Sequence, residues 1–252
     1  MTGETHKEGG MLVSVVGFLL LKENGLLLPD VNEVVQLMVM YPFALWGSTA
    51  SDLDHHWESA PSKDGFSWAI NKVLHLTTKT RDVMDNVKGV KKSLGYHLLG
   101  IFDAKHRSWQ THSDLTLYGI IILLWALLSG RLNLGFSAID TSITALMLMG
   151  ICLGVVAHFI LDMLTPQGVW FTVGVAFNKV LSKILKREVH ILPEKLRVVP
   201  HWKVFATGSA WENLICKILR VLKVVSVVYI CISMFCPDLL DTIFPYEIQF
   251  NV

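Results

Sequence analysis

Long apolar runs alternate along the chain with two polar, basic stretches. Met11–Leu21 is apolar but short, and Lys22-Glu23-Asn24 interrupts it before Gly25-Leu26-Leu27-Leu28-Pro29. Val34–Ala50 is a fuller run that contains Pro42 and Gly47, both tolerable where neighbouring helices cover the freed backbone. Leu115–Leu128, Ile139–Leu164 and Val221–Phe235 follow, the last stopped by Cys236-Pro237-Asp238. A spanning helix needs about 20 apolar residues, so Met11–Leu21 is a marginal span and Ile139–Leu164 crosses with some tilt. No small-residue cleavage site of the A-x-A kind follows the first run, which argues against a removed signal peptide. In residues 61–105, Ile70, Val73, Leu74 and Leu76, then Leu94, His97, Leu98 and Ile101, recur at helical spacing and predict amphipathic helices on the membrane or the bundle.

The expected fold is therefore an all-α, multi-span membrane bundle of about five apolar helices, a single domain over 1–252 with two polar segments, 51–114 and 166–220. Each polar segment carries nine Lys and Arg, whereas the connectors 22–33 and 129–138 carry one Lys and one Arg. The positive-inside rule places both basic segments in the cytoplasm, and five spans with an inside N-terminus satisfy the whole pattern.

Composition sharpens this. Of 252 residues, 52% are hydrophobic and 17% charged, and mean hydropathy is +0.47, against roughly 45–50% apolar and about 25% charged in soluble proteins. An ordinary cytosolic enzyme is excluded. The net charge of +1 gives no reason to expect a nucleic-acid partner. Cys152, Cys216, Cys231 and Cys236 form no CxxC pair, so reduced thiols are expected rather than disulfides or a thiolate zinc site.

The ten histidines carry the candidate chemistry. Ser51-Asp52-Leu53-Asp54-His55-His56 closes the second run and offers oxygen and nitrogen ligands on a turn, as a divalent ion requires; a solvated helix end is the plainer alternative. His106-Arg107-Ser108-Trp109-Gln110-Thr111-His112-Ser113 precedes the third run, where Thr111 or Ser113 would cap the helix and Arg107 could hold a phosphate oxygen. An interfacial basic segment anchored by Trp109 is the competing reading. His158 and Asp162 stand at i and i+4 on one helical face, and an ionisable pair inside an apolar helix is a functional-site hypothesis by default. The alternative is a pair that only stitches the bundle. Glu212 opens the final helix, where the helix dipole favours a carboxylate. In the five-span arrangement all of these groups, with His6, fall on the cytoplasmic side.

The order Thr5-His6, Asp52-Leu53-Asp54-His55, His106-Arg107, Thr111-His112-Ser113, His158-Phe159-Ile160-Leu161-Asp162-Met163-Leu164-Thr165-Pro166-Gln167-Gly168 and Gly208…Glu212 resembles the YdjM family. Its members are described as membrane-bound metal-dependent hydrolases, one of them also as LexA-binding. The chain departs from the family's usual Pro-Asp-x-Asp-His at Ser51, and from His-Arg-Gly-x-Thr-His at Ser108 and by one added residue before Thr111. A more distant similarity is to zinc phospholipase C and P1-type nuclease, but Gly208 stands where their last His would be. The resemblance implies a metal site of one or two ions, zinc in first place with manganese or iron as alternatives, drawn from His6, Asp52, Asp54, His55, His106, His112, His158, Asp162 and Glu212. A metal-activated water would attack a phosphoester, preferably lipid-linked, with Asp54 or Glu212 taking its proton and Arg107 neutralising the developing charge. The competing class is a non-catalytic membrane scaffold or regulator with a structural metal and a cytosolic protein partner. A transporter relaying protons through His158 and Asp162 is a third reading, but the two related halves it calls for are not found in the sequence.

Overall fold

A computed structural model describes residues 2–50, 52, 64–86, 113–132, 135, 137–198 and 208–236. These form seven helices: α1 (Gly3–Glu23), α2 (Glu33–Ala50), α3 (Gly65–Asn86), α4 (Asp114–Leu128), α5 (Ala138–Met163), α6 (Thr172–Leu185) and α7 (Ala210–Phe235). Between them lie two short strands, β1 (Val169–Trp170) and β2 (Lys195–Leu196). The helical class is as expected, and the antiparallel β1–β2 pair is an addition. Two residues per strand are too few to show an alternation in sequence; Gly168, at φ +63°, turns the chain into β1, and the Lys195 ammonium lies 4.3 Å over the Trp170 ring.

Among the described residues, two helices are long and apolar enough to cross a membrane, α5 over Asp140–Met163 and α7 over Ala210–Phe235, and α4 is a shorter apolar helix. Most of α7 is exposed apolar surface, with Val221, Leu222, Val224, Val225 and Val228 all uncovered. Such a helix is soluble in lipid rather than in water. The helix α1 begins two turns before its apolar run, so Thr5, His6 and Glu8 are helical and buried. The expected amphipathic helix in the first polar segment is α3, anchored to α2 by the Trp46 indole N–H donating to Ser67 Oγ at 3.0 Å. The remainder of that expectation, including Leu94 to Ile101, lies outside the described residues.

Small residues decide how the bundle closes. Gly150, Gly154, His158 and Asp162 recur every four residues and line one face of α5. A Cβ at Gly150 would fall on the Met40 carbonyl and one at Gly154 on the Ala44 carbonyl; Gly47 of α2 meets the Ile151 backbone in the same way. On α1, a Cβ at Gly10 would strike Ser48. The backbones of α1, α2 and α5 thus approach to near contact, around a core of Val15, Phe18, Met40 and Leu146 with Ile230 from α7. We predict that Gly154→Val costs about 2–3 kcal/mol, because backbone rather than a flexible side chain blocks the new methyls. Gly119→Val on the open face of α4 should be tolerated, and unfolding in mixed micelles measures both.

Candidate metal centre

The glycine face of α5 is what brings α2 close enough to build the site. His158 and Asp162 continue that face beyond Gly154, and the end of α2 runs beside them. The His158 Nδ1–H donates to the Ser48 carbonyl at 2.8 Å. A carbonyl can only accept, so this bond fixes a proton on Nδ1 and turns Nε2 towards the Asp162 carboxylate, 3.4 Å from Oδ2. From α1, His6 Nε2 lies 3.5 Å from Asp162 Oδ1, and its ring stacks on that of His158 with centroids 4.0 Å apart at 20°. Asp52, two residues past α2, completes the group: one ligand atom each from His6, Asp52 and His158 lie within 4.8 Å of one another.

All four side chains are buried, His158 and Asp162 at 0% exposure, His6 at 1% and Asp52 at 7%. Two carboxylates and two imidazoles thus meet in a site closed to solvent, where their charges must be balanced locally. With His158 neutral its Nε2 and the Asp162 carboxylate are both acceptors; one protonated ring can pair with Asp162, whereas two imidazolium rings at stacking distance would repel. A divalent cation would take the place of that proton, joining both imidazoles and both carboxylates without charge repulsion. The donor set suits zinc, manganese or iron, and the Nδ1–H bond to a backbone carbonyl is the outer-shell contact that commonly orients a metal-binding histidine.

Glu212, in the first turn of α7, has a different set of contacts. Its carboxylate accepts from the Thr2 backbone N–H, from Thr5 Oγ1 at 3.1 Å and from the Gly208 N–H at 2.5 Å, while Ser209 Oγ caps its own N–H at 3.2 Å. It therefore caps α1 from outside, beside His6. Replacing Glu212 with alanine is expected to cost about 1–3 kcal/mol, the penalty for leaving buried donors unmet. Thermal unfolding should show the loss, with metal bound less tightly because His6 sits on the same turn. Asp54, His55, His106, Arg107 and His112 lie outside the described residues. Ser113 caps α4 through the Leu115 N–H, one of the two capping residues anticipated.

Two features of this region were not read from sequence. The first is the Gly150-xxx-Gly154 spacing leading into His158 and Asp162, a visible small-residue signal. The second is an ion-pair group in which Glu8 accepts from Arg220 Nε at 3.1 Å and Lys223 Nζ at 2.6 Å, while Glu4 accepts from Arg220 at 2.7 Å. These partners are more than 200 residues apart in sequence, so no local pattern could pair them.

The profile of the YdjM inner membrane protein family matches residues 1–237, a span that contains every residue of the cluster. The chain belongs to the YdjM family. No curated protein and no solved structure matches it. Membership makes this YdjM-family chain a membrane protein, and the uncovered apolar surfaces of α4 and α7 acquire their solvent.

Proposed function

We propose that this chain is a membrane-bound metal-dependent hydrolase that cleaves a phosphoester, preferably a lipid-linked one. One observation carries the reading: four ligand side chains from three separate segments converge in the bundle, with the His158 tautomer set by Ser48 so that Nε2 faces the cluster. His6, Asp52, His158 and Asp162 would hold the ion. A bound divalent ion supplies a water of lowered pKa and polarises the ester. Asp162 and Asp52 balance its charge, and the Ser48 carbonyl keeps the His158 ring from turning. With the Glu212 carboxylate engaged by Thr2, Thr5 and Gly208, proton acceptance falls to Asp54, two residues beyond Asp52. Arg107 neutralises the charge that develops on the phosphoryl oxygens.

Five spans with a cytoplasmic N-terminus accommodate the basic segments 51–114 and 166–220 and put the cluster at the inner edge of the membrane. A site there reaches amphiphilic esters, which is the basis for preferring a lipid-linked substrate. The burial of His6, His158 and Asp162 favours a second reading, in which the ion is a structural staple of a scaffold that binds a cytosolic protein through its basic segments. Detergent-purified protein, stripped and reloaded with metal, is to be assayed on phosphodiesters and phosphomonoesters with and without acyl chains. Turnover that follows the metal and prefers acylated substrates supports the hydrolase. Metal that raises stability while no ester turns over supports the staple.

A further inference from the structure

The helix α6 carries an apolar stripe that nothing among the described residues covers. Val173, Phe177, Val180 and Ile184 follow at spacings of four, three and four, which sets them in one row. Their exposures are 51%, 45%, 60% and 68%. The polypeptide that packs on α6 takes another face. Asn178 is buried against residues 191 and 192, donating from Nδ2 to the Leu192 carbonyl at 2.8 Å and accepting the Ile191 and Leu192 N–H groups at 3.0 and 3.1 Å. At about 100° per residue this face lies roughly a third of a turn from the stripe. Lys179 and Lys183 flank the stripe on its other side.

The start of α6 is also fixed in height. Its Thr172 N–H donates to Asp114 Oδ1 at 2.8 Å, in the first turn of the apolar helix α4. Trp170 bridges Ser113, the cap of that helix. Val198 donates its N–H to the carbonyl of Met163 at 2.9 Å, the last residue of the candidate span α5. The β1–β2 pair, which brackets α6 in the chain, is thus stitched to the ends of two apolar helices, where spanning helices would leave the hydrocarbon.

We propose that α6 is an interfacial helix whose Val173–Phe177–Val180–Ile184 stripe is seated in the lipid surface, with Lys179 and Lys183 against anionic headgroups. A row of branched and aromatic side chains flanked by lysines is the pattern such helices use, the stems lying along the apolar boundary and the ammonium groups reaching the phosphates. Continuity with the membrane ends of α4 and α5 selects lipid over a protein partner. The surface stands apart from the metal cluster, so it holds whether or not the chain is a hydrolase.

The test places the photo-crosslinker p-benzoylphenylalanine at Val180, or at exposed Glu188 as a control, in the full chain reconstituted into phosphatidylethanolamine–phosphatidylglycerol vesicles, with adducts read by mass spectrometry. Lipid adducts at position 180 are expected several-fold above those at 188. Lys179→Glu with Lys183→Glu should lower the yield at 180 several-fold in these vesicles and leave it unchanged in zwitterionic ones. Equal lipid yields at the two positions, or chain-to-chain adducts at 180, would overturn the proposal, the latter pointing to a second copy on the stripe.

Discussion

Detergent-purified His158→Ala is expected to lose its bound metal and to slow phosphoester turnover by about 100-fold or more, at the upper end of or beyond the effect of removing an outer-shell partner. The reason is geometric. His158 is the proposed ligand whose direction is set by a bond to backbone, the 2.8 Å contact from Nδ1 to the Ser48 carbonyl, and its ring also supports the stacked ring of His6. Alanine removes a donor and leaves His6 free to turn away. Asp162 would then keep one imidazole neighbour in place of two. His158→Gln, which has comparable reach and no imidazole, should also lose the metal, whereas His75→Ala on α3 should keep it. Metal analysis after gel filtration, alongside the turnover assay, reads all three. Acid should act in the same direction as the mutation, since protons compete with the ion for imidazole and carboxylate, so metal content falls as pH falls.

The second large effect is expected from Glu8→Gln. Glu8 joins α1 to α7 by accepting from both Arg220 and Lys223, and α7 is apolar enough to span. Cations within an apolar helix are tolerated when paired. Removing the Glu8 charge leaves Lys223, which is mostly buried, with an amide in place of a carboxylate. The melting temperature in detergent should fall on the order of 5 °C. Glu4→Gln, at an exposed position, should lower it much less. If α1 is displaced as α7 loosens, metal should also leak from Glu8→Gln, because His6 rides on α1. Glu8→Gln combined with Lys223→Met should recover part of the loss, as a pair that is removed together leaves no uncompensated charge.

Much of the architecture was legible because it is written in hydropathy. The apolar runs fall within α1, α2, α4, α5 and α7, although among the described residues only α5 and α7 are long and apolar enough to span, and the break at Thr165-Pro166-Gln167-Gly168 falls where α5 ends. His158 and Asp162 could be recognised because a helix puts i and i+4 on one face. That His6 and Asp52 join them could be anticipated from the common side on which a five-span arrangement puts them and from the family order of motifs, since no local period links positions 6, 52 and 158. The structure supplies what sequence lacks there, namely the approach of α1, α2 and α5 over Gly10, Gly47, Gly150 and Gly154. Glu212 shows the other limit. Sequence position made it a ligand or base candidate, but a carboxylate at one helix N-terminus can equally cap a second one, and here its oxygens face Thr2, Thr5 and Gly208. The β1–β2 pair and the seating of α6 depend on contacts between residues 113–114, 163, 170–172 and 195–198, none of which leaves a periodic trace.

A divalent ion held by the buried His6–Asp52–His158–Asp162 cluster, as proposed, should travel with the protein through purification. Metal content of the wild-type chain, purified from membranes without added metal or chelator, tests it most directly. About one or two equivalents of zinc, manganese or iron per chain are expected, the range open to four to six nitrogen and oxygen ligands, with the ion lost from His6→Ala and Asp162→Ala. A wild-type chain that folds, carries no stoichiometric metal and takes none up on addition would contradict it.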